Sequence, residues 1–287
     1  MKLGWIHGGT LAASLDGDTW RDVTAILAEL PAPSIDDGHV DWLISHLPRV
    51  REAVARAIDG APKLTVNDAT AWLSPVRRPG KIVGIPVNYQ DHVDEVEQAR
   101  QTFTNRYTGS IRQQGFFLKA SSSLVGPSEG IAIRFPERET HHELELAVVI
   151  GQRADRVRPE DAAGYIAGYC IGLDMVVRGP EDRSMRKSLD SYSVLGPWLT
   201  TADQIADPGS LFMWLDVNGS RRQSCYPRDM IMGIAEQIAW ISESCTLWPG
   251  DVIMTGTSSG VSRVVPGDRI LCSIEGLGSM QVDVRAA

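Results

Sequence analysis

Apolar and polar positions alternate most regularly between His141 and Ile150. In HHELELAVVI, Glu143, Glu145, Ala147 and Val149 fall on one side and Leu144, Leu146, Val148 and Ile150 on the other, which is the two-residue period of a β-strand. A second strand is predicted in AGYCIGLDMVV (Ala167–Val177), where Asp174 stands alone among apolar residues. Upstream, KIVGIPVNY (Lys81–Tyr89) reads as a buried strand. DHVDEVEQARQTF (Asp91–Phe103) reads as a helix with Val93, Val96 and Phe103 on one face. Residues 97–115 are polar and poor in aliphatics, and predict the end of that helix followed by a mobile loop.

The first 75 residues read as a small domain of their own. Trp5-Ile6, the Gly8-Gly9 turn, Leu11–Leu15 and Asp16-Gly17-Asp18 predict short hairpins. Asp37–Asp59 predicts a helix, with Trp42, Leu43, Leu47, Val50, Val54 and Ile58 near helical spacing and Pro48 breaking or starting it. SPVRRPGK (Ser74–Lys81) is a Pro/Gly-rich connector that sets the boundary between residues 1–75 and 76–287. Further on, Leu211–Cys225 predicts a hairpin turning at Asn218-Gly219. DMIMGIAEQIAWIS (Asp229–Ser242) predicts a helix whose core stripe is Ile231, Ile234, Ala235, Ile238 and Ile241. Val265–Val284 closes the chain with two strands. No internal repeat interrupts this order.

Composition is that of an ordinary globular protein, with 43% hydrophobic and 22% charged residues in 287. The net charge of −8 argues against nucleic acid as a partner. No apolar run approaches the ~18 residues of a membrane helix, and the start of the chain lacks the apolar segment of a signal peptide. The four cysteines (Cys170, Cys225, Cys245, Cys272) have no paired spacing. They are expected to be free thiols in a reducing, cytoplasmic setting.

Chemistry enters through the carboxylates. Glu143 and Glu145 sit on one strand face roughly 7 Å apart at Cα, since a strand rises about 3.3 Å per residue. Three carboxylates in apolar strands require a compensating charge, and a hard divalent cation supplies one. The plainer alternative is the solvent face of an antiparallel sheet. His92 and Glu95, three apart on a helix, are neighbours. They form either a base with its orienting carboxylate or an incidental surface pair.

HHELELAVVIG, followed by AGYCIGLDMVVR and KSLDSYSVLGPW, resembles the fumarylacetoacetate hydrolase family, in particular its acylpyruvase and oxaloacetate decarboxylase branch. The resemblance covers about Lys81 to Val284. It implies an α+β fold, a mixed β-sandwich or β-roll catalytic domain after a small N-terminal domain, in a homodimer. It implies that Glu143, Glu145 and Asp174 hold Mg²⁺ or Mn²⁺. The family's G-x-N-Y-x-x-H-x-x-E pattern falls on Gly84–Glu95, one residue longer after the glycine. That implies His92 and Glu95 as a water-activating dyad on a lid. Arg178, Lys187 in RKSLD and Thr257 in the T-G-T loop match residues that approach the substrate's anionic groups.

Departures from the family pattern are Ala120 and Ser258 at two proline positions and Gly179-Pro180 after Arg178. The last puts recognition of the substrate's far end in question. FFLKASSSLVGP resembles an F-x-K-P-x-S-S segment, in which Lys119 is assigned no more than support of its loop.

The activity implied is hydrolysis of a 2,4-dioxo acid, such as fumarylpyruvate or maleylpyruvate from aromatic breakdown, to pyruvate and a carboxylic acid. Oxaloacetate decarboxylation and 2-hydroxydienoate isomerisation or hydration would use the same carboxylates. A non-catalytic scaffold of the same fold is a further alternative, which predicts no stabilisation by Mg²⁺.

Overall fold

The computed structural model describes residues 1–33, 40–67, 70–98 and 109–287. The start of the helix expected from Asp37, and Phe103 with most of the loop expected at 97–115, lie outside the described residues.

The N-terminal hairpins form as the turns predict. β1 (Lys2–Ile6), β2 (Thr10–Ser14) and β3 (Trp20–Asp22) are antiparallel neighbours. Gly8 and Gly9 both take the left-handed φ (95° and 89°) that the first turn requires. The helical stretch is broken near Pro48, as one of the two expected readings has it, into α1 (Trp42–Ser45), capped by Asp41, and α2 (Leu47–Ala57). Pro48 stands in the first turn of α2, where its missing N–H costs nothing. β4 (Lys63–Leu64) and β5 (Trp72–Leu73) complete this region.

The buried strand expected over Lys81–Tyr89 is confined to β6 (Ile82–Gly84). Pro86 has no N–H for a ladder and Val87 adopts φ 44°, so the chain leaves the sheet there. There follow α3 (Gln90–Gln98), α4 (Ile111–Gln114), β7 (Phe117–Lys119), β8 (Leu124–Val125), β9 (Ile131–Ile133) and β10 (Thr140–His141). β11 (Leu144–Ile150) is the strand the alternation predicts, and β12 (Ile166–Asp174) the one expected from the apolar run around Asp174. β11 starts three residues later than the pattern, because β10 belongs to another sheet, between β13 (Val176–Val177) and β18 (Arg263–Val264).

The remaining elements are α5 (Arg183–Arg186), β14 (Ser193–Thr201), β15 (Met213–Val217), β16 (Ser220–Cys225), α6 (Ile234–Ser244), β17 (Val252–Met254), β19 (Arg269–Ile274) and β20 (Gly278–Ala286). The β15–β16 hairpin turns at Asn218-Gly219, both at positive φ, as expected. α6 is shorter than its pattern. Gly233 is its N-cap, and Ile231, expected in the core stripe, precedes the helix and is exposed. Ala235 is also exposed, whereas Ile238 and Ile241 are buried.

The main sheet is mixed and runs β4-β3-β2-β1-β14-β12-β11-β17-β6-β7, with β5 added on β1 and β8 on β14. The second large sheet, β16-β15-β19-β20-β9, faces it across a common core. Residues 1–75 therefore enter the main sheet through the β1–β14 pair.

All seven residues of β11 are buried, which excludes a solvent face for the E-x-E strand. Leu144, Leu146, Val148 and Ile150 enter one core, with Ile171, Leu215 and Ile274. Ala147 and Val149 enter a second core, with Cys170 and Met254, that is closed by Leu3, Leu11, Val50 and Val54 of the N-terminal region. Each of the Val, Leu and Ile side chains among these contributes roughly 1.5–3 kcal/mol on burial. The N-terminal region thus covers the face of β11 on which the carboxylates lie.

Candidate metal centre and active site

Sheet register brings the three carboxylates together. β11 and β12 pair with Leu144 opposite Leu173 and Glu145 opposite Gly172, and the Asp174 amide donates to the Glu143 carbonyl at 2.9 Å. Glu143, Glu145 and Asp174 therefore share one face at one end of the pair. Their carboxylate oxygens lie within 4.8 Å of one another, and all three side chains are buried. Gly172, opposite Glu145, leaves room for Met254, whose Sδ would lie 2.7 Å from a Cβ there.

Two lysines face this cluster. Lys187 Nζ donates to Glu143 Oε2 at 2.6 Å and to Asp174 Oδ2 at 2.5 Å. Lys119 Nζ donates to the other Asp174 oxygen and, at 2.7 Å, to the Tyr192 carbonyl. Burial works against the charge on Lys187, but Asp174 and Glu143 outweigh it and raise its pKa. At Lys119 burial wins over Asp174 and the pKa falls. Burial likewise opposes ionisation of Glu143, yet Lys187 and Arg178 hold its carboxyl down at about 2.

Glu145 has the opposite fate. Burial and the neighbouring Asp174 push its pKa well above the usual range, although Gly256 N donates to its Oε2 at 2.7 Å. Three convergent carboxylates, one of them unable to ionise easily, form a donor set that a hard divalent cation fits. A carboxylate offers about four acceptor positions, so the lysine bonds leave capacity for an ion.

The His92–Glu95 pair forms as the helical spacing predicts. Both lie on α3, with Nδ1 of His92 2.9 Å from Glu95 Oε2. With Nδ1–H donating to the carboxylate, Nε2 is the basic nitrogen. Glu95 Oε1 accepts from Gly260 N at 3.0 Å, and Asp91 accepts from Ser259 Oγ at 2.7 Å. These bonds pin α3 to the segment after the T-G-T loop. His92 is 6% exposed and lines a pocket with Glu143, Arg178, Lys187, Thr257 and Phe117.

Arg178 is aimed by a short relay. Its Nε donates to His141 Nδ1 at 3.1 Å, so the ring's Nε2 carries the proton that goes to Glu139 at 3.0 Å. Its guanidinium lies 3.9 Å from Glu143 Oε1. Thr257 also lines the pocket, but its hydroxyl proton goes to the Leu144 carbonyl at 2.8 Å and it accepts from Gln223 Nε2 at 2.8 Å. Toward the pocket that oxygen is an acceptor, better suited to a hydroxyl or water than to a carboxylate.

Three groups of residues had no assigned role at the site. Lys119 pairs with Asp174 in the interior, and the F-x-K resemblance was its only signal. Gln223 is buried and bonds Leu144 N, His142 Nδ1, Thr257 Oγ1 and the Ser258 carbonyl, which ties β11 to the T-G-T loop. It sits in the polar run SRRQSC, where no pattern marks it. Arg183 and Arg186 of α5 line the pocket and are 9% and 6% exposed.

Comparison with known proteins places the chain in a family. Residues 81–285 match the family model described as fumarylacetoacetate (FAA) hydrolase C-terminal. A maleylpyruvate hydrolase of Aquipseudomonas alcaligenes is 46% identical over 274 residues, 95% of each chain. A mitochondrial oxaloacetate tautomerase of Rattus norvegicus is 34% identical over 235 residues, 78% of this chain and 72% of that one. Among solved structures, maleylpyruvate hydrolase from Sphingobium sp. SYK-6, in complex with manganese(II) and pyruvate, superposes with a TM-score of 0.84. The two are 38% identical, and all of each chain is covered. The chain belongs to the fumarylacetoacetate hydrolase family.

Proposed function

We propose that this protein is a divalent-metal-dependent hydrolase that cleaves the C–C bond of an acylpyruvate to give pyruvate and a carboxylic acid, with maleylpyruvate or a similar compound of aromatic catabolism as substrate. The observation that carries this reading is one pocket lined by both Glu143 of the carboxylate triad and His92, whose ring Glu95 orients from behind. The relatives that act on maleylpyruvate support the substrate class.

In this reading Glu143, Glu145 and Asp174 hold the cation, Mg²⁺ or Mn²⁺. When bound, it supplies Lewis-acid stabilisation of negative charge on the 2-oxo acid. His92 Nε2 removes a proton from water, and Glu95 keeps the ring in the tautomer that allows it. The water oxygen bonds to the carbonyl carbon of the acyl group. The bond from that carbon to the pyruvyl methylene breaks, and its electron pair is protonated to leave pyruvate. Arg178 and Lys187 hold the anionic groups of the substrate in line with His92, and Thr257 closes the wall behind them.

No described helix is long and apolar enough to cross a membrane. The four cysteines are free. A cytoplasmic homodimer belongs to the same proposal, as does a boundary near residue 75 between an N-terminal covering unit and the catalytic unit.

Pyruvate release from maleylpyruvate, fumarylpyruvate, acetylpyruvate and oxaloacetate, with Mn²⁺ or with EDTA, tests the function. Release with an equimolar carboxylic acid, abolished by EDTA, is expected. His92→Ala should lower it about 10²–10⁴-fold while Mn²⁺ still raises the melting temperature. Turnover of oxaloacetate alone would overturn the hydrolase, and an H92A variant of full activity would overturn the assignment of the base.

A further inference from the structure

Gly179-Pro180 departs from the family pattern directly after Arg178, and Gly179 lines the same pocket. In the structure Gly179 makes room for Arg138, whose Nη2 would lie 1.9 Å from a Cβ at that position. Arg138 instead braces the turn, donating to the Arg178 carbonyl at 2.9 Å and to both Glu181 oxygens at 3.2 and 2.7 Å. The turn then leads into α5, whose N-cap Asp182 accepts from Ser184 N at 2.9 Å. The result is a helix that places Arg183, Arg186 and Lys187 along one pocket wall.

The order along this wall is specific. Lys187 reaches Glu143 and Asp174. Its amide donates to the Arg183 carbonyl at 2.9 Å, so Arg183 stands one turn away on the same face, about 6 Å along the helix. Both cations lie over the Phe117 ring, Lys187 at 5.1 Å and Arg183 at 5.8 Å from its centroid. Phe117 lies on Gly84, where a Cβ would meet the ring at 2.2 Å. Arg183 is held by the Gln114 side-chain oxygen, and Arg186 by the Glu181 carbonyl at 2.9 Å. Four cationic side chains line the pocket (Arg178, Arg183, Arg186, Lys187) against one carboxylate, Glu143, in a chain of net charge −8. Such a wall attracts anions locally, whatever the sign of the molecule as a whole.

We infer that Arg183 and Arg186 form a subsite for a second carboxylate, carried by the acyl arm of the substrate, one helical turn from the carboxylate cluster. This rests on the acylpyruvate reading above and deepens it: the preferred substrates are acylpyruvates with an anionic tail. Guanidinium groups bind carboxylates through paired N–H donors, and a partly dry pocket strengthens that contact.

Two measurements separate the subsite from the chemistry. In the first, kcat/KM is compared for maleylpyruvate and acetylpyruvate with Mn²⁺ in the wild type and in Arg183→Gln, Arg186→Gln and the double variant. The preference for the dicarboxylate should fall at least tenfold in each single variant and about 10²-fold in the double. Arg183→Lys should recover part of it. In the second, calorimetry with Mn²⁺ compares 2-oxoadipate with 2-oxohexanoate, which differ in the distal carboxylate. The wild type should bind the former at least tenfold tighter, and the variants should lose that margin. If the wild type hydrolyses neither acylpyruvate but shows the binding margin and the variants lose it, the reaction is wrong and the subsite stands. A substrate preference or binding margin that the substitutions leave unchanged, or a wild type without either, overturns the subsite.

Discussion

Asp174 shows how one buried charge is held. Each of its oxygens meets a lysine, Lys119 on one side and Lys187 on the other, and all three side chains are buried. Removing one partner from a buried ion pair costs roughly 3–5 kcal/mol. Lys119→Met should therefore lower the melting temperature of the metal-free protein markedly. It should also increase the rise in melting temperature on adding Mn²⁺, because a cation then replaces part of the lost charge. A K119M variant that melts like the wild type in EDTA would show that this pair contributes little.

The same residues show why some of the site is legible and some is not. Glu143, Glu145 and Asp174 stand out because carboxylates contrast with the apolar strands around them. Helical spacing makes His92 and Glu95 neighbours, and the family resemblance is what separates them from an incidental surface pair. Arg183, Arg186 and Gln223 lie in runs that are polar throughout, so neither period nor contrast separates a buried polar residue from a solvated one. Only the tertiary structure, which buries them, reveals the difference.

At the scale of elements, the strands that carry the site are legible from one alternating stretch and from apolar runs, but their ends are not. β11 stops short of Glu143 because β10 is committed to other partners, and β6 ends at Gly84 because Pro86 and the positive φ of Val87 take the chain out of the sheet. Period-two patterns report which residues face a core, and they carry no information on which sheet supplies the partner. Gly84 itself is an element-scale feature. It makes room for the Phe117 ring of the paired strand β7 over the β6 backbone, beneath the Lys187 and Arg183 cations. Gly84→Val should displace that ring, raise KM for an acylpyruvate several-fold and destabilise the protein by about 1–3 kcal/mol. Unchanged kinetics in G84V would show that Phe117 is not part of the substrate wall.

Across the whole molecule, the connector at Ser74–Lys81 looks like a domain boundary, yet the sheet runs through it. β1 pairs with β14, and Leu3, Leu11, Val50 and Val54 close the core against Ala147, Val149 and Cys170. Composition cannot show this, since an N-terminal hairpin that folds alone and one that completes a sheet have the same pattern. A chain of residues 76–287 alone would expose the face of β11 next to the carboxylates and the edge of β14. It should be insoluble or melt far below the full chain. A stable, metal-binding 76–287 fragment would establish that the N-terminal region folds independently of the sheet it joins.

The strand that bears Glu145 is covered on both sides, whereas α5 is four residues long and hangs from a braced turn at the pocket rim. Change at these two places has different consequences. A substitution along β11 disturbs two cores at once, so the reactive end of the pocket has almost no freedom to drift. A substitution on α5 alters a few side chains and leaves the sheets alone. Descendants of such a chain can exchange one acyl group for another by rewriting a single helical turn, while the bond-breaking chemistry passes unaltered from one specificity to the next.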